Sequence, residues 1–340
     1  MALIVGTVAA YLYFSPLPKE EPPSQTTTVS QEPARNITAS SLPEHFEALY
    51  GSIFVPYWKV GDITEPILPQ TIAHKNVRNL IYFGVTPAEN GSLISSEPGF
   101  AGISRFIEST HDIKAQRLLA VRMMNEGTNE AILDDKTFQS SLVSETLGLV
   151  RQYGFDGVLI DLEHSVLPTK NTVTAISEFI AFFAERTHSD KKVFTVALYG
   201  DTFYRQRPYD VTKIASVSDE IIIMAYDFHK SYGEPGPNFP LFRGEEYSYD
   251  FATMIEDFRK VVPAEKITVL FGLFGYDWSV DDQNRPAKAA APLSLSKIEA
   301  TLVKTCVAPR CTRARSATAS ELNLIYTDDS GQKTFCMVRR

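Results

Sequence analysis

The pattern of hydrophobic and polar positions becomes regular after about residue 46. Short runs of β-branched and aromatic residues alternate there with longer segments of helical spacing, which is typical of repeated βα units around a parallel sheet. No glycine-rich loop follows the first run, and this counts against a dinucleotide-binding fold. The sequence therefore predicts an α/β protein with a TIM-type (β/α)8 barrel. Its visible strands are predicted at Ile53–Trp58, Val77–Gly84, Gln116–Met123, Asp156–Glu163, Lys191–Leu198, Glu220–Asp227 and Ile267–Phe274. The clearest helices are predicted at Phe138–Tyr153, Thr172–Thr187, Phe251–Val261 and Ser294–Lys304.

The end of the chain departs from a complete barrel. Glu321–Tyr326 and Gln332–Val338 flank the turn Asp328-Asp329-Ser330-Gly331 and predict a late β-hairpin. No eighth parallel strand and helix are visible, and seven strands alone would leave an open edge of unpaired peptide groups. We therefore expect residues 46–340 to form a C-terminally incomplete barrel, as a truncated or frame-disturbed reading frame would give.

The first 45 residues differ in composition from the rest. The apolar run from Ala2 to Phe14 would reach only about 20 Å as a helix, short of a bilayer core of about 30 Å. Residues 1–18 therefore fit a signal peptide or signal anchor better than a full span, with a buried N-terminal strand as the alternative. Residues 19–45 are rich in Pro, Ser and Thr and predict a disordered tether. We expect an extracytoplasmic protein, either secreted or anchored by its N terminus.

Composition and charge exclude several classes of protein. The chain has 340 residues with a formal net charge of −8, which argues against a nucleic-acid or anionic-membrane partner. Three cysteines cannot form a disulfide framework, and the Cys306 to Cys311 spacing lacks the second Cys/His pair that a zinc site requires. No histidine shows ligand spacing. We expect neither a metal nor an organic cofactor.

The densest chemical signal is the run Asp156–Glu163. Residues two apart on a strand share a face, so Leu159, Asp161 and Glu163 point one way. In a barrel this face climbs the interior toward the carboxyl ends of the strands, where barrel enzymes keep their chemistry. Two stacked carboxylates in that interior raise at least one pKa and keep a proton available for general acid catalysis. The alternative is that Glu163 merely caps the following helix.

Polar and aromatic residues also end other predicted strands. Met224, Tyr226 and Asp227 end the sixth strand, so their polar side chains belong to the same rim as Glu163. Aromatic rings at strand ends can stack on the apolar face of a sugar, although each ring alone is more often a packing residue than a ligand contact. Together they favour a carbohydrate cleft over a metal site. The aromatic candidates are Tyr57, Phe83, Tyr276 and Trp278, with Trp58 beside the first of them.

These residues resemble the motifs of glycoside hydrolase family 18, which holds chitinases and related N-acetylglucosaminidases. The run from Asp156 and Gly157 to Glu163 is similar to the family signature Asp-Gly-x-Asp-x-Asp-x-Glu. Met224–Asp227 resembles its sixth-strand motif, and Leu273–Trp278 its seventh. The resemblance runs from about residue 50 to the end, in the right order, and bacterial spore-cortex and cell-wall members are the most similar in character.

The resemblance implies a retaining mechanism in which the substrate supplies the nucleophile. Glu163 would be the general acid and base, and Asp161 would orient the acetamido group that attacks its own anomeric carbon. Tyr226 would bind the acetamido carbonyl, Asp227 would contact the sugar near the leaving bond, and Met224 would pack beneath it. The implied substrates are β-1,4-linked N-acetylglucosamine glycans of the chitin or peptidoglycan type. We expect the protein to be a monomer.

Four departures from the family pattern temper this expectation. Leu159 occupies the position of the middle Asp of the signature and cannot hydrogen-bond. The third-strand Ser-x-Gly-Gly motif is replaced near Val121–Gly127, and Phe274 stands where a Tyr is common. The eighth-strand Trp of the family has no counterpart in this sequence. A non-catalytic or weakly active glycan-binding relative is therefore the second hypothesis, and a purely structural barrel fragment is the third.

Overall fold

The computed structural model describes residues 51–62, 77–242 and 247–338. The predicted signal segment and tether lie outside the described residues. Within these ranges, no helix combines the length and apolar character needed to cross a membrane.

The main sheet confirms the predicted parallel architecture. Its seven strands are hydrogen-bonded in sequence order from β1 to β7, and every pairing is parallel. The sheet curls into the TIM-type fold, and β1 and β7 each pair with one strand among the described residues. The strands are β1 Gly51–Pro56, β2 Val77–Val85, β3 Gln116–Met123, β4 Gly157–Leu162, β5 Val193–Tyr199, β6 Glu220–Met224 and β7 Ile267–Leu270.

Helices follow the strands with capping chemistry that the sequence supplies. Asp135 precedes the helix Lys136–Tyr153, and its carboxylate accepts the backbone N–H groups of Thr137 and Phe138. Gly154 ends that helix in a left-handed conformation with φ 69°, which turns the chain into β4. The helices are α1 Pro98–Ala101, α2 Ile103–Thr110, α3 Glu126–Asp134, α4 Lys136–Tyr153, α5 Lys170–Ser189, α6 Val211–Val217, α7 Phe251–Arg259 and α8 Leu295–Lys297. Helix α8 continues as the π-helical turns Ile298–Val303, and 3-10 turns lie at Tyr57–Asp62 and Ala264–Lys266.

Alternation along β4 divides the core into two layers, as the sequence predicts. Val158, Ile160 and Leu162 belong to the large apolar layer between sheet and helices. Leu159 points the other way, into a smaller cluster inside the barrel. That inner cluster consists of Ile81, Leu118, Ala120, Leu159, Ala197 and Ile222. The next inward position after Leu159 is Asp161, so the apolar cluster forms the floor beneath the predicted acids.

The seventh predicted strand requires a correction. Ile267–Phe274 was expected as one strand, but β7 ends at Leu270 and a new strand begins at Phe274. Gly272 interrupts the run, and the next strand belongs to a separate antiparallel sheet of five strands in the order β10-β11-β12-β8-β9. Its strands are β8 Phe274–Ser279, β9 Ala291–Ser294, β10 Cys311–Arg315, β11 Leu322–Thr327 and β12 Lys333–Val338.

This second sheet confirms the predicted hairpin, and its strands β10 and β12 contain two of the three cysteines. Strands β11 and β12 pair antiparallel, and β12 pairs in turn with β8. Cys306 and Cys311 form a disulfide that links the segment after the π-helical turns to β10. Cys336 is a buried free thiol in β12. The sheet thus has its own small core and its own covalent link.

Candidate active site

Asp161 lies at the carboxyl end of β4, above the apolar floor. Its side chain is buried, with 3% of its surface exposed, and its Oδ1 atom has no hydrogen-bond partner among the described residues. Directly beneath it on the same face stands Leu159, which has neither a donor nor an acceptor. The unpartnered oxygen is the local consequence of a leucine at that inward position.

Burial controls the protonation of Asp161. Burial first and the nearby Glu163 carboxylate second raise the pKa of this carboxyl, the Arg122 guanidinium lowers it, and together they bring it to about 8. Arg122 lies opposite Asp161 in the register between β3 and β4. At neutral pH most Asp161 carboxyls therefore carry a proton.

Glu163 stands one step beyond β4 and is half-buried. The Tyr199 hydroxyl donates to its Oε2 atom at 3.0 Å. Its main chain is held on both sides, because its N–H donates to the Met123 carbonyl and its carbonyl accepts the Asn129 side-chain amide at 2.8 Å. Burial raises the pKa of Glu163, the Tyr199 hydrogen bond lowers it, and the charge of Asp227 raises it. Glu163 is therefore a positioned carboxyl that retains its proton to higher pH than an exposed one.

The helix-capping alternative for Glu163 is wrong. Helix α5 begins seven residues after Glu163, and its N-cap is Thr169. The Thr169 hydroxyl accepts the backbone N–H of Thr172 at 3.1 Å. The cap of the following helix is thus filled by another residue, and the carboxyl of Glu163 accepts from Tyr199 instead.

Two residues that sequence reasoning missed hold the Glu163 carboxyl in place. Tyr199 is the last residue of β5, and the Arg207 guanidinium lies 4.1 Å above its ring. Arg207 is fixed in turn by an ion pair with Asp201 at 3.0 Å. The position of Tyr199 at the end of a barrel strand was the available signal, since Tyr226 follows the neighbouring β6 in the same manner.

The residues after β6 complete a cluster of carboxyl and phenol groups, Asp161, Glu163, Tyr226 and Asp227, which we call the acid cluster. Met224 is buried at the end of β6. Burial, together with the charges of Asp161 and Glu163, raises the pKa of Tyr226 well above its ordinary value. The phenol therefore stays protonated and can donate. The predicted residues Asp161, Glu163 and Tyr226 are thus electrostatically coupled in one cluster.

Asp227, the last residue of the acid cluster, has a constrained backbone conformation. Its φ is 62°, in the left-handed region that a non-glycine residue adopts only when its surroundings hold it there. Its N–H donates to Asn238 Oδ1 at 2.6 Å, and its Oδ1 accepts the Tyr276 hydroxyl at 2.7 Å. Burial raises the pKa of Asp227, while the Tyr276 hydrogen bond and the Lys230 charge lower it.

The predicted aromatic residues fall into two groups. Tyr57, Trp58 and Phe83 form an edge-to-face group at the ends of β1 and β2, with ring centroids 4.9 Å apart for the first pair and 6.4 Å for the second. Trp58 is 57% exposed and so presents a ring to solvent. Arg122, which sequence reasoning did not single out as a site residue, lies 5.2 Å from the Tyr57 ring centroid and 5.1 Å from that of Phe83.

Tyr276 and Trp278 belong to β8 of the second sheet. Tyr276 is 8% exposed, and its hydroxyl is committed to Asp227, so it reaches the acid cluster. Trp278 has no exposed surface and packs against Phe335 in the core of the second sheet. The structure thus brings Tyr276 to the site and leaves Trp278 without a face that a sugar could contact.

Asp156 and Gly157 open the signature motif and have structural contacts. The Asp156 carboxylate accepts the backbone N–H of Arg117 at 2.8 Å, which ties the start of β4 to β3. A Cβ on Gly157 would lie 2.3 Å from the Val193 carbonyl oxygen, so the close approach of β5 requires glycine. These residues set the register that places Asp161 and Glu163.

The cluster lacks the donor set of a metal centre. Among the described residues, no group of three or more His, Cys, Asp or Glu side chains is placed to hold a metal ion. The carboxylates instead face tyrosines and basic side chains. Such an arrangement suits proton transfer between a carboxyl group and a bound molecule.

Fold and site together define a TIM-type barrel with a cluster of carboxyl and phenol groups at the carboxyl ends of its strands. Sequence comparison gives the family: the model described as Glycosyl hydrolases family 18 matches residues 53–337. The chain belongs to this family of glycosidases.

Individual relatives support the same assignment. The chain is 30% identical over 205 residues to chitotriosidase-1 of Mus musculus and 23% identical over 219 residues to the cortical fragment-lytic enzyme of Bacillus subtilis. These matches cover 54% and 62% of this chain but only 44% and 48% of the two relatives. Among solved structures, the Group IV chitinase of Ostrinia furnacalis superposes with a TM-score of 0.71 at 15% identity, over 85% of both chains, and so shares the fold.

Proposed function

We propose that this protein hydrolyses β-1,4-linked N-acetylglucosamine glycans with retention of configuration, using Glu163 as general acid and base. The observation that carries the proposal is the half-buried Glu163 carboxyl. It is held by the Tyr199 hydroxyl at 3.0 Å, and burial raises its pKa. Protonation of a poor leaving oxygen requires a carboxyl group that is still protonated near neutral pH. The relatives named above include a chitotriosidase, a chitinase and a cortical fragment-lytic enzyme, so glycans of both the chitin and the peptidoglycan type are candidate substrates.

The proposed reaction has two steps. Glu163 gives its proton to the glycosidic oxygen while the acetamido carbonyl oxygen of the same sugar bonds to the anomeric carbon, and the bond to the leaving group breaks. The product of this step is a cyclic oxazolinium ion. Glu163, now ionised, then removes a proton from water, which attacks the anomeric carbon and reopens the ring. The Tyr226 phenol, which stays protonated, would donate to the acetamido oxygen, and Asp227 would bind the sugar beside the scissile bond.

Asp161 has a separate role in the proposed reaction. Its ionised form would stabilise the positive charge of the oxazolinium ion and accept the acetamido N–H. With a pKa near 8, Asp161 is ionised in only a minority of molecules at neutral pH. We therefore expect the ionisation of Asp161 to set the acid limb of the pH–rate profile and the ionisation of Glu163 to set its alkaline limb.

A non-catalytic glycan-binding role is the alternative that a specific observation favours. Leu159 leaves Asp161 Oδ1 without a hydrogen-bond partner, and the aromatic group of Tyr57, Trp58 and Phe83 could bind sugar without turnover. In this case glycan affinity would persist while hydrolysis would be undetectable.

The test is turnover of a fluorogenic chitobiose substrate, measured in parallel with the release of reducing ends from peptidoglycan glycan strands whose stem peptides have been removed. Glu163→Gln should lower the rate by about 10²–10⁴-fold. Glu220→Gln is the matched control, because Glu220 is also a buried carboxylate but lies at the opposite end of a barrel strand. Equal activity of wild type and Glu163→Gln would refute the assignment, and tight binding without turnover would favour the glycan-binding alternative.

The acetamido group itself is tested by inhibition. A thiazoline analogue of the oxazolinium ion should compete with substrate, because it reproduces the cyclic intermediate. An active enzyme that this analogue fails to inhibit would contradict substrate assistance while leaving glycosidase activity intact.

We further propose that residues 1–18 direct the protein out of the cytoplasm and that residues 19–45 tether it there. The Cys306–Cys311 disulfide supports this location, because such bonds persist mainly in oxidising compartments. Fractionation of cells that express the chain with and without residues 1–18 tests the proposal. Equal retention of both proteins in the cytoplasm would contradict it.

A further inference from the structure

The segment that follows β6 is held by a buried amide with an unusual set of contacts. Asn238 has no exposed surface. Its Oδ1 accepts the backbone N–H of Asp227 at 2.6 Å, and its carbonyl accepts the N–H of Phe228 at 3.4 Å. Asn238 therefore fastens the main chain of Asp227 and of the next residue, at the point where Asp227 adopts its left-handed φ of 62°.

Asn238 is itself held by a buried carboxylate from the second sheet. Glu321 has no exposed surface and precedes β11 by one residue. Its Oε2 accepts the N–H of Asn238 at 3.1 Å, and its Oε1 accepts the N–H of Phe239. A buried carboxylate is costly unless charge-assisted hydrogen bonds satisfy it, so this pair of bonds is strongly favoured once the chain is folded.

These contacts join residues that are far apart in the sequence. Glu321 lies 83 residues beyond Asn238, and Asn238 lies 11 residues beyond Asp227. A left-handed aspartate persists only when its surroundings over-determine it. The two hydrogen-bonded links supply that constraint: Asn238 lies between β6 and α7 of the barrel, and Glu321 immediately precedes β11 of the second sheet.

We propose that Asn238 and Glu321 are positioning residues that act through Asp227. Together they hold the Asp227 carboxyl in the direction needed to contact the sugar beside the scissile bond. The catalytic consequence rests on the proposed function, whereas the structural link does not. The second sheet would thereby set the geometry of the acid cluster as well as enclosing it.

The first test measures the link itself. Hydrogen exchange of the Asp227 amide should accelerate by about 10-fold or more in Asn238→Leu, which keeps the branching of asparagine but has no acceptor, and also in Glu321→Gln. Asn238→Asp keeps the acceptor and should restore most of the protection. Glu220→Gln is the matched control: Glu220 is a buried carboxylate that accepts from Asn79 and Thr268, and its replacement should leave the Asp227 amide unchanged. Unchanged exchange in Asn238→Leu would overturn the proposal.

The second test measures the consequence for turnover. Asn238→Leu should misdirect the contact between the Asp227 carboxyl and the sugar. It should therefore lower kcat by about 10- to 100-fold, with a much smaller change in KM. The same substitution in an Asp227→Asn background should cost little more than Asp227→Asn alone, because both changes remove one interaction. Fully additive effects would overturn the positioning role. Faster exchange in a protein that never turns over substrate would instead refute the proposed function and leave the link standing.

Discussion

At the scale of single residues, the exchange of a carboxylate for Leu159 explains the behaviour of Asp161. A family signature with an acid at that position would offer Asp161 a hydrogen-bonding neighbour inside the barrel. Here the neighbour is apolar and part of the inner cluster, and Asp161 Oδ1 stays unpartnered. Desolvation then dominates, so the pKa of Asp161 rises to about 8 despite Arg122.

This shift has a consequence for stability. The folded protein binds a proton at Asp161 up to about pH 8, whereas the unfolded chain releases it near pH 4. The contribution of Asp161 to stability therefore falls as pH rises between these values. Asp161→Asn removes the titrating group, so it should gain stability relative to wild type from pH 4 to pH 8. Urea unfolding of both proteins across this range checks the prediction, and a pH-independent difference would contradict it.

Restoring a donor beneath Asp161 should move activity toward lower pH. Leu159→Asn keeps the branching of leucine in a smaller side chain, and its amide can donate to Oδ1, which favours the ionised carboxylate. We expect the rise of kcat with pH to occur at lower pH than in wild type, at some cost in stability from the polar atoms in the inner cluster. Leu159→Met is the control that changes shape without adding a donor. Identical pH profiles for the asparagine and methionine variants would refute this explanation.

At the scale of secondary-structure elements, β8 reaches the acid cluster through a single hydroxyl. Tyr276→Phe removes the donor to Asp227, whose pKa that hydrogen bond lowers. The pKa of Asp227 should therefore rise, and the pH at which Asp227 ionises in the pH–rate profile should move upward. Tyr326→Phe is the matched control, because its hydroxyl donates at 2.8 Å to Asp277 within the same sheet. An equal shift in both variants would show that the effect is not transmitted through Asp227.

The elements also show which parts of the fold were predictable. Alternation along β4 identified the inward face correctly, because burial on both sides of a barrel strand leaves a clear division between apolar and acidic positions. The break between β7 and β8 was not predicted, since three residues separate two runs of similar strand character. Tyr199, Asn238 and Glu321 were missed for a different reason. Their roles depend on hydrogen bonds between distant segments, which no local spacing encodes.

At the scale of the whole molecule, the second sheet performs two functions. It has a core of its own around Trp278 and a disulfide, and it also supplies Tyr276 and Glu321 to the neighbourhood of Asp227. The barrel provides the carboxylates, and the second sheet constrains one of them. Substitutions that destabilise the second sheet should therefore lower activity even where no residue in contact with substrate has changed.

The two tryptophans of the chain separate these functions experimentally. Trp278 is completely buried, so Trp278→Ala should destabilise the protein by about 3–5 kcal/mol through the cavity it leaves. Trp58 is 57% exposed beside Tyr57 and Phe83, so Trp58→Ala should change stability little but weaken oligosaccharide binding by about 0.5–1.5 kcal/mol through the loss of a stacking surface.

Thermal unfolding and calorimetric titration with chitotriose measure the two effects in the same pair of variants. Intrinsic fluorescence adds an independent readout, since an aqueous quencher should reach Trp58 and not Trp278, and a bound oligosaccharide should protect Trp58. Quenching of Trp58 that a bound oligosaccharide leaves unchanged would place the sugar elsewhere. Such a result would show that Tyr57, Trp58 and Phe83 do not bind the sugar. It would not affect the roles proposed for Glu163 and Asp161, because those roles are tested by turnover.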